Sequence, residues 1–116
     1  MKMLIILNEP AYGNERTYNG LRLALSLTKA EEVELRVFLM GDSVTAAKPF
    51  QKTPEGYYNL ERMLRGLVTK EVKVAACGTC MEARGLTDAD LTTGAHRSTM
   101  AELTTWTIWA DKVITF

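Results

Sequence analysis

Both cysteines of the chain lie in one short segment, Cys77-Gly78-Thr79-Cys80, which directly follows the apolar run 72–76. This order predicts a strand whose carboxyl end presents a thiol, with a helix that begins just beyond it. Ligands and chemistry gather outside the carboxyl ends of strands in open α/β sheets, and the dipole of a helix favours a thiolate at its N-terminus. The segment therefore predicts sulfur chemistry, with Cys77 and Cys80 as the candidate catalytic residues.

A single Cys-x-x-Cys pair is compatible with several kinds of site. A structural zinc site needs four ligands, and only His96 is available beyond the pair, which argues against zinc bound within one subunit and leaves a site shared between subunits open. A dithiol that cycles through a disulfide is a second alternative. A third is a nucleophilic Cys77 that carries sulfur as a persulfide and passes it on by thiol exchange. The last is a pair of small buried residues, although Gly78 and the strand end predict exposure.

Charged side chains near the pair offer further candidates. Arg84, seven residues after Cys77, suits the stabilisation of a thiolate or an anion as well as it suits a structural ion pair. His96 and Arg97 are adjacent, and as isolated residues they are more typical of structural roles than of catalysis. No Ser-His-Asp order is convincing, and the loop 12–16 lacks the glycine spacing of a phosphate-binding loop. No motif requires a cofactor or a resident metal.

The composition limits the classes of protein to which the chain can belong. Its 116 residues are enough for one domain with a core of its own, and its 14 basic and 14 acidic residues give no net charge to attract nucleic acid. The longest apolar run is too short to cross a bilayer. Residues 3–7 lack the length and the cleavage site of a signal peptide. We therefore expect a cytoplasmic protein that has neither a nucleic-acid nor a membrane partner.

The hydrophobic pattern predicts strands that alternate with helices. Strands are predicted at 3–8, 33–40, 72–76, 95–97 and 112–116, and helices at 14–29, 43–48, 57–69, 81–84 and from Thr99 to about Ala110, with one helical turn at 88–92. Such alternation implies a mainly parallel sheet of about five strands with helices on both faces. The predicted fold class is a single-domain, three-layer α/β/α protein.

Loops that follow the first three strands should meet at one edge of this sheet. The residues that would then line a pocket around the cysteines are Asn8, Tyr12, Gly41, Asp42, Gly78, Thr79 and Arg84.

The last helix predicts a subunit contact. Its start, Thr99-Met100-Ala101-Glu102, has the form of a capping box. One face carries Met100, Leu103, Trp106 and Ala110, while Ile108 and Trp109 lie off that face. A helix with apolar residues on more than one side is buried on more than one side, so a second copy of the chain is the expected neighbour. A tryptophan that lies flat over its own core is the alternative.

The chain resembles the DsrE/DsrF-like family of small, TusD-like sulfur-relay proteins over nearly its whole length. The sharpest part of the resemblance is Cys77-Gly78-Thr79-Cys80-x-x-Ala83-Arg84-Gly85. Further segments support it only together, at 8–13, 15–16, 19–22, 37–42, 56–60, 98–100 and 110–113.

The resemblance implies a five-stranded parallel α/β domain over residues 1–116 that associates into trimers or hexamers. It also implies a cysteine after a central strand, by position Cys77, that accepts sulfane sulfur from a protein donor and hands it to a protein acceptor. Cys80 departs from the best-understood relay members, because a second thiol could resolve the persulfide as a disulfide. A dithiol oxidoreductase and a non-catalytic oligomeric binding protein therefore remain alternatives, and whether the chain is a sulfurtransferase-like enzyme stays open.

Overall fold

The computed structural model covers residues 1–116 and confirms the α/β fold, with a five-stranded sheet in which every pair of neighbours is parallel. The strands are β1 (Lys2–Leu7), β2 (Glu34–Leu39), β3 (Lys73–Cys77), β4 (Ala95–Ser98) and β5 (Lys112–Thr115), in the spatial order β4-β3-β2-β1-β5. The helices are α1 (Arg16–Leu27), α2 (Leu60–Thr69), α3 (Gly78–Ala83) and α4 (Met100–Trp109), with 3₁₀ segments at Gly41–Ala47 and Asp88–Asp90. Each strand lies within one residue of its predicted ends.

Helices cover both faces of the sheet, as the three-layer fold requires. The register aligns Ile6 of β1 with Phe38 of β2, so these side chains share one face and Leu7 points to the other. Leu7 meets α1 so closely that a Cβ added at Gly20 would lie 2.3 Å from it. On the opposite face, the ring of Trp106 from α4 stands edge-on to Phe38, with the ring centroids 6.1 Å apart. Both faces of β1 and β2 are therefore covered, which explains the unbroken apolar run at 3–7 in β1 and the apolar end of β2 at 37–39.

The helix starts differ from the sequence prediction where side chains cap them. The helix predicted at 57–69 begins at Leu60, because Asn59 caps it by accepting a hydrogen bond from the Arg62 N–H at 3.0 Å. The helix predicted at 81–84 begins three residues earlier, at Gly78. The segment predicted as a helix at 43–48 is the 3₁₀ segment, which begins two residues after the end of β2.

No helix in the structure is both long and apolar enough to cross a membrane.

The start of α4 confirms half of the predicted capping box. The Thr99 hydroxyl accepts a hydrogen bond from the Glu102 N–H at 3.2 Å, but the Glu102 carboxylate does not reach back to Thr99. Leu103 and Trp106 are buried as predicted, whereas Met100, placed on the same face by the sequence, is 63% exposed. Ile108 is 81% exposed, so α4 retains an apolar side that this subunit does not cover.

Candidate functional site

The cysteine pair lies at the junction of β3 and α3. Cys77 is the last residue of the strand, Cys80 is in the first turn of the helix, and a disulfide joins them across a Cα–Cα distance of 5.2 Å. The Cys80 N–H points at the sulfur of Cys77, with an N–Sγ distance of 3.3 Å, and the Thr79 hydroxyl lies 3.4 Å from the same sulfur. The local backbone therefore holds the two sulfurs in bonding position and directs a donor at Cys77.

The exposure predicted for Cys77 is wrong. The residue is only 8% exposed and belongs to the hydrophobic core cluster. The physical reason is that β3 lies between β2 and β4, and α3 begins without an intervening loop. The buried residue nevertheless lines a pocket.

This pocket has a volume of about 270 Å³ and lies between the β3–α3 junction and the start of α4. Its lining residues are Phe38, Met40, Cys77, Gly78, Thr79, Glu82, Arg97, Ser98, Thr99 and Met100. Of the pocket residues predicted from the sequence, only Gly78 and Thr79 line it beside Cys77. Most of the other lining residues come from β4, α4 and the end of β2, and the sequence prediction missed them.

The sulfur of Cys80 has different surroundings. It accepts a hydrogen bond from the Gly41 N–H at 3.2 Å and lies 3.8 Å from the sulfur of Met40. Gly41 has a φ of +58°, a conformation that glycine adopts without strain. The convergence of the loops that follow β2 and β3, which the sequence predicted, therefore occurs on the Cys80 side of the disulfide.

Arg84 and Asp42 also come together on the Cys80 side. The Arg84 guanidinium donates to Asp42 Oδ1 from Nε at 2.9 Å and from Nη2 at 2.6 Å, and it donates to the carbonyl oxygen of Cys80 from Nη1 at 3.0 Å. All three of its nitrogens are thus engaged away from the sulfur of Cys77. The geometry favours a structural ion pair, which was one of the two alternatives for Arg84.

Asn8 and Tyr12 are not part of the pocket beside Cys77. The Asn8 side chain donates to the carbonyl oxygen of Phe116 at 3.1 Å. The Tyr12 hydroxyl donates to Gln51 at 2.6 Å and accepts from the Leu60 N–H at 3.2 Å, which attaches the first loop to the start of α2. These hydrogen bonds stabilise loops, and neither side chain lines the pocket.

Arg97 is the one positively charged residue that lines the pocket. Its side chain lies across Gly78, since a Cβ added at Gly78 would be 3.2 Å from Arg97 Nε and 2.8 Å from the carbonyl oxygen of Ser98. The guanidinium pairs with Glu82 of α3. The sequence carried no local signal for this role, because it depends on β4 lying beside β3, where Cys77 aligns with Ser98.

Behind the pocket, Glu102 connects β4 to α4. The Ser98 hydroxyl donates to Glu102 Oε1 at 2.6 Å, and the His96 imidazole contacts the same oxygen. Partial burial acts to raise the pKa of Glu102, but the hydrogen bonds from Ser98 and His96, with the charges of His96 and Arg36, outweigh it and lower the pKa below its usual range. The Ser98 proton is therefore directed at Glu102 and not at Cys77.

No group of three or more His, Cys, Asp or Glu side chains is arranged to hold a metal ion.

The model of the DsrE/DsrF-like family matches residues 1–116. The chain belongs to this family. Protein YchN of Escherichia coli strain K12 is 44% identical over 116 residues, which covers 99% of this chain and 98% of YchN. The DsrE/DsrF-like family is related in general to sulfur relay.

Two further comparisons agree with this assignment. The Methanocaldococcus jannaschii protein MJ0989 is 36% identical over 116 residues, with full coverage of both chains. The crystal structure of the E. coli YchN protein superimposes with a TM-score of 0.94 and covers 99% of this chain and 98% of its own. The fold of this DsrE/DsrF-like chain, including the β3–α3 junction that carries the cysteines, is thus shared with a solved relative along its whole length.

Proposed function

We propose that this DsrE/DsrF-like protein transfers sulfur, with Cys77 carrying the transferred atom as a persulfide. The observation that carries the proposal is that Cys77 lines a pocket of about 270 Å³ while its sulfur faces the N–H of Cys80, with an N–Sγ distance of 3.3 Å. A hydrogen bond donated to a sulfur favours its anionic form, and the thiolate is the nucleophile of thiol exchange. Cys80 has no such pocket.

The reaction begins from the reduced pair. A thiol reductant first converts the disulfide to two thiols and is itself oxidised to a disulfide. The Cys77 thiolate then attacks the outer sulfur of a donor persulfide, the S–S bond of the donor breaks, and the donor leaves as a thiolate that takes up a proton. Cys77 now carries one additional sulfur atom, and attack by an acceptor thiolate on that atom regenerates the Cys77 thiolate.

Cys80 supplies an alternative end to the reaction. Its thiolate can attack the inner sulfur of the Cys77 persulfide, which forms the Cys77–Cys80 disulfide and releases hydrosulfide. This step is consistent with the short Cα–Cα distance of the pair, 5.2 Å. The same distance favours a second candidate function, a dithiol oxidoreductase that exchanges electrons and carries no sulfur atom.

The proposal includes a cytoplasmic location, where thiols are kept reduced, and protein partners as donor and acceptor, as the family resemblance implies. It also includes a homo-oligomer, a trimer or a hexamer. The support within this chain is α4, where the apolar side chains of Met100 and Ile108 are 63% and 81% exposed, since apolar surface that a subunit leaves uncovered is typical of an interface. Light scattering coupled to size exclusion should give an integral multiple of 12.9 kDa that falls to the monomer in Ile108→Asp.

Intact-mass spectrometry tests the transfer itself. The reduced wild type, Cys77→Ser and Cys80→Ser are incubated with a persulfide donor and desalted. We expect the wild type and Cys80→Ser to gain the mass of one sulfur atom and Cys77→Ser to gain none. Loading that persists in Cys77→Ser would move the carrier role to Cys80. A loss of two hydrogens that requires both cysteines, with no gain of sulfur, would favour the oxidoreductase.

A further inference from the structure

We infer that the pocket beside Cys77 binds a small organic persulfide that bears a carboxylate, and that Arg97 holds this carboxylate. The donor is then a molecule the size of a single amino acid, which replaces the protein donor that the family resemblance implies, while the acceptor remains a protein. This inference rests on the proposed function, because it names the substrate of the same cysteine.

The size of the opening is the first argument. Cys77 is 8% exposed, so a donor reaches its sulfur only through the pocket. The pocket volume of about 270 Å³ is slightly below the range of roughly 300–1,000 Å³ that is usual for small-molecule sites. A single amino-acid derivative suits this space better than a larger ligand does.

The lining supplies the second argument, because it has an apolar part and one cation. Phe38, Met40 and Met100 form the apolar part, and the polarisable thioethers of methionine pack well against sulfur and alkyl groups. Arg97 is the cation, and its planar guanidinium matches a carboxylate through two parallel hydrogen bonds. A ligand with a short alkyl stem, a reactive sulfur and a carboxylate is complementary to both parts.

The position of Glu82 supports the same conclusion. Its carboxylate pairs with the Arg97 guanidinium, and both residues line the pocket. The side chain of Glu82 is 65% exposed and that of Arg97 is 33% exposed. Because ion pairs of this exposure are weak, Glu82 can turn towards solvent when another carboxylate arrives. Glu82 therefore marks where the carboxylate of the donor binds and competes with it.

The step at Cys77 balances without a further reagent. The thiolate of Cys77 attacks the outer sulfur of the bound persulfide and forms a new S–S bond, while the original S–S bond of the donor breaks. The donor leaves as a thiolate, which takes up a proton from water. Its carboxylate stays on Arg97 throughout the attack, so this contact stabilises the bound donor and the transition state equally and acts on the half-saturating concentration.

Two matched donors test the role of the carboxylate. N-acetylcysteine persulfide carries it, and the persulfide of N-acetylcysteine methyl ester does not. The initial rate of sulfur loading on Cys77 is measured by intact mass against the concentration of each donor. The chains are the wild type, Arg97→Gln, Glu82→Gln and the control Arg62→Gln, whose side chain is exposed on α2, the helix that packs beside α1.

We expect the wild type to reach half-maximal loading at about a tenfold lower concentration of the acid than of the ester, as one charge-assisted hydrogen-bonded contact gives. Arg97→Gln should lose this preference with little change in the maximal rate, and Arg62→Gln should keep it. Glu82→Gln should lower the half-saturating concentration of the acid, a gain that a misfolded variant does not produce.

The outcomes separate this inference from the proposed function. If the wild type loads both donors equally well, or if Arg97→Gln keeps the preference for the acid, the role of Arg97 is wrong and sulfur transfer stands. If neither small donor loads Cys77 while a persulfide on a protein does, the donor class is wrong and sulfur transfer again stands. If no donor of either kind loads Cys77, the proposed function fails and this inference fails with it.

Discussion

The two sulfurs of the disulfide belong to residues only three positions apart, yet they lie in different surroundings. Cys80 is enclosed by fixed contacts, since Gly41 donates to its sulfur and Met40 lies 3.8 Å away. Cys77 belongs to the hydrophobic core cluster, yet it lines a pocket. The difference shows that the exposed fraction of a cysteine and the access of a ligand to its sulfur are separate quantities.

The two arginines on either side of the disulfide repeat this difference. Arg84 uses three nitrogens on Asp42 and on the carbonyl of Cys80, and it thereby fixes α3 to the loop after β2. Arg97 has a single carboxylate partner, Glu82, on the exposed side of the pocket. One arginine is fully engaged in the fold, and the other can change its partner.

The largest effect expected on the Cys77 side comes from Gly78→Ala. A methyl group there would lie 2.8 Å from the Ser98 carbonyl oxygen, and overpacking of this kind typically costs about 1–3 kcal/mol of unfolding free energy. Urea unfolding measures the change. The matched control is Gly66→Ala in α2, where the added methyl meets Leu25 at an ordinary 3.4 Å and alanine gains up to about 1 kcal/mol of helix propensity. Equal stability of the two variants would contradict the close packing at Gly78.

A second prediction uses the size of an alkylating reagent on the reduced protein. N-ethylmaleimide is small enough to enter the pocket, whereas a maleimide attached to polyethylene glycol is not. We expect the large reagent to react with Cys77 at least about tenfold more slowly than N-ethylmaleimide does, a difference of roughly 1.4 kcal/mol in activation free energy. The rates are measured by intact mass on Cys80→Ser, in which Cys77 is the single cysteine, with the same variant unfolded in urea as the control. Equal rates of the two maleimides with folded Cys80→Ser would show that the pocket does not limit access.

A third prediction compares the arginines through stability. Arg84→Gln should lower the unfolding free energy by about 1 kcal/mol, because it removes two hydrogen bonds to Asp42 Oδ1 and leaves Asp42 without its partner. Arg97→Gln should change it by less than about 0.5 kcal/mol, as is usual for exposed positions. Thermal and urea unfolding of both variants give the comparison. A larger loss in Arg97→Gln would assign that arginine a structural role.

The smallest effect expected is a pH dependence at Glu102, behind the pocket. Because its pKa is lower in the folded chain than in the unfolded chain, the stabilisation it gives is complete above the unfolded value, about 4.3. It is lost as the pH falls through the folded value. Glu102→Gln should therefore be less stable than the wild type at pH 7, with the difference diminishing towards pH 3. Glu55→Gln, an exposed loop position, should show no such trend.

The sequence predicts the strands well because buried parallel strands have a distinct composition. The unbroken apolar run of β1 and the mainly apolar sequence of β2 give bounds that are right to one residue. The meeting of Gly41 and Asp42 with the cysteine segment follows from the same logic, since the ends of neighbouring parallel strands share one edge. The local pattern is sufficient here because a strand that is buried on both faces has apolar residues at successive positions, and these can be recognised in the sequence.

The pocket could not be predicted in the same way. It depends on β4, which has only four residues and reads Ala-His-Arg-Ser, lying beside β3. Neither hydrophobic periodicity nor a motif fixes that neighbour, so Arg97 and Ser98 were not associated with Cys77. Met100 was placed on the buried face of α4 for a related reason, because periodicity assigns a side but not the point along the helix where the core ends.

The position of β5 has a consequence for the order of events during synthesis. One side of β1 pairs with residues that lie more than 100 positions later, such as Ile5 with Ile114. At ribosomal rates of 5–20 residues per second, β1 waits about 5–20 seconds for that partner. During this interval its backbone donors and acceptors on that side are free to pair with another nascent chain. The residues around the cysteine pair, in contrast, are all synthesised by position 102, so their assembly can precede closure of the sheet.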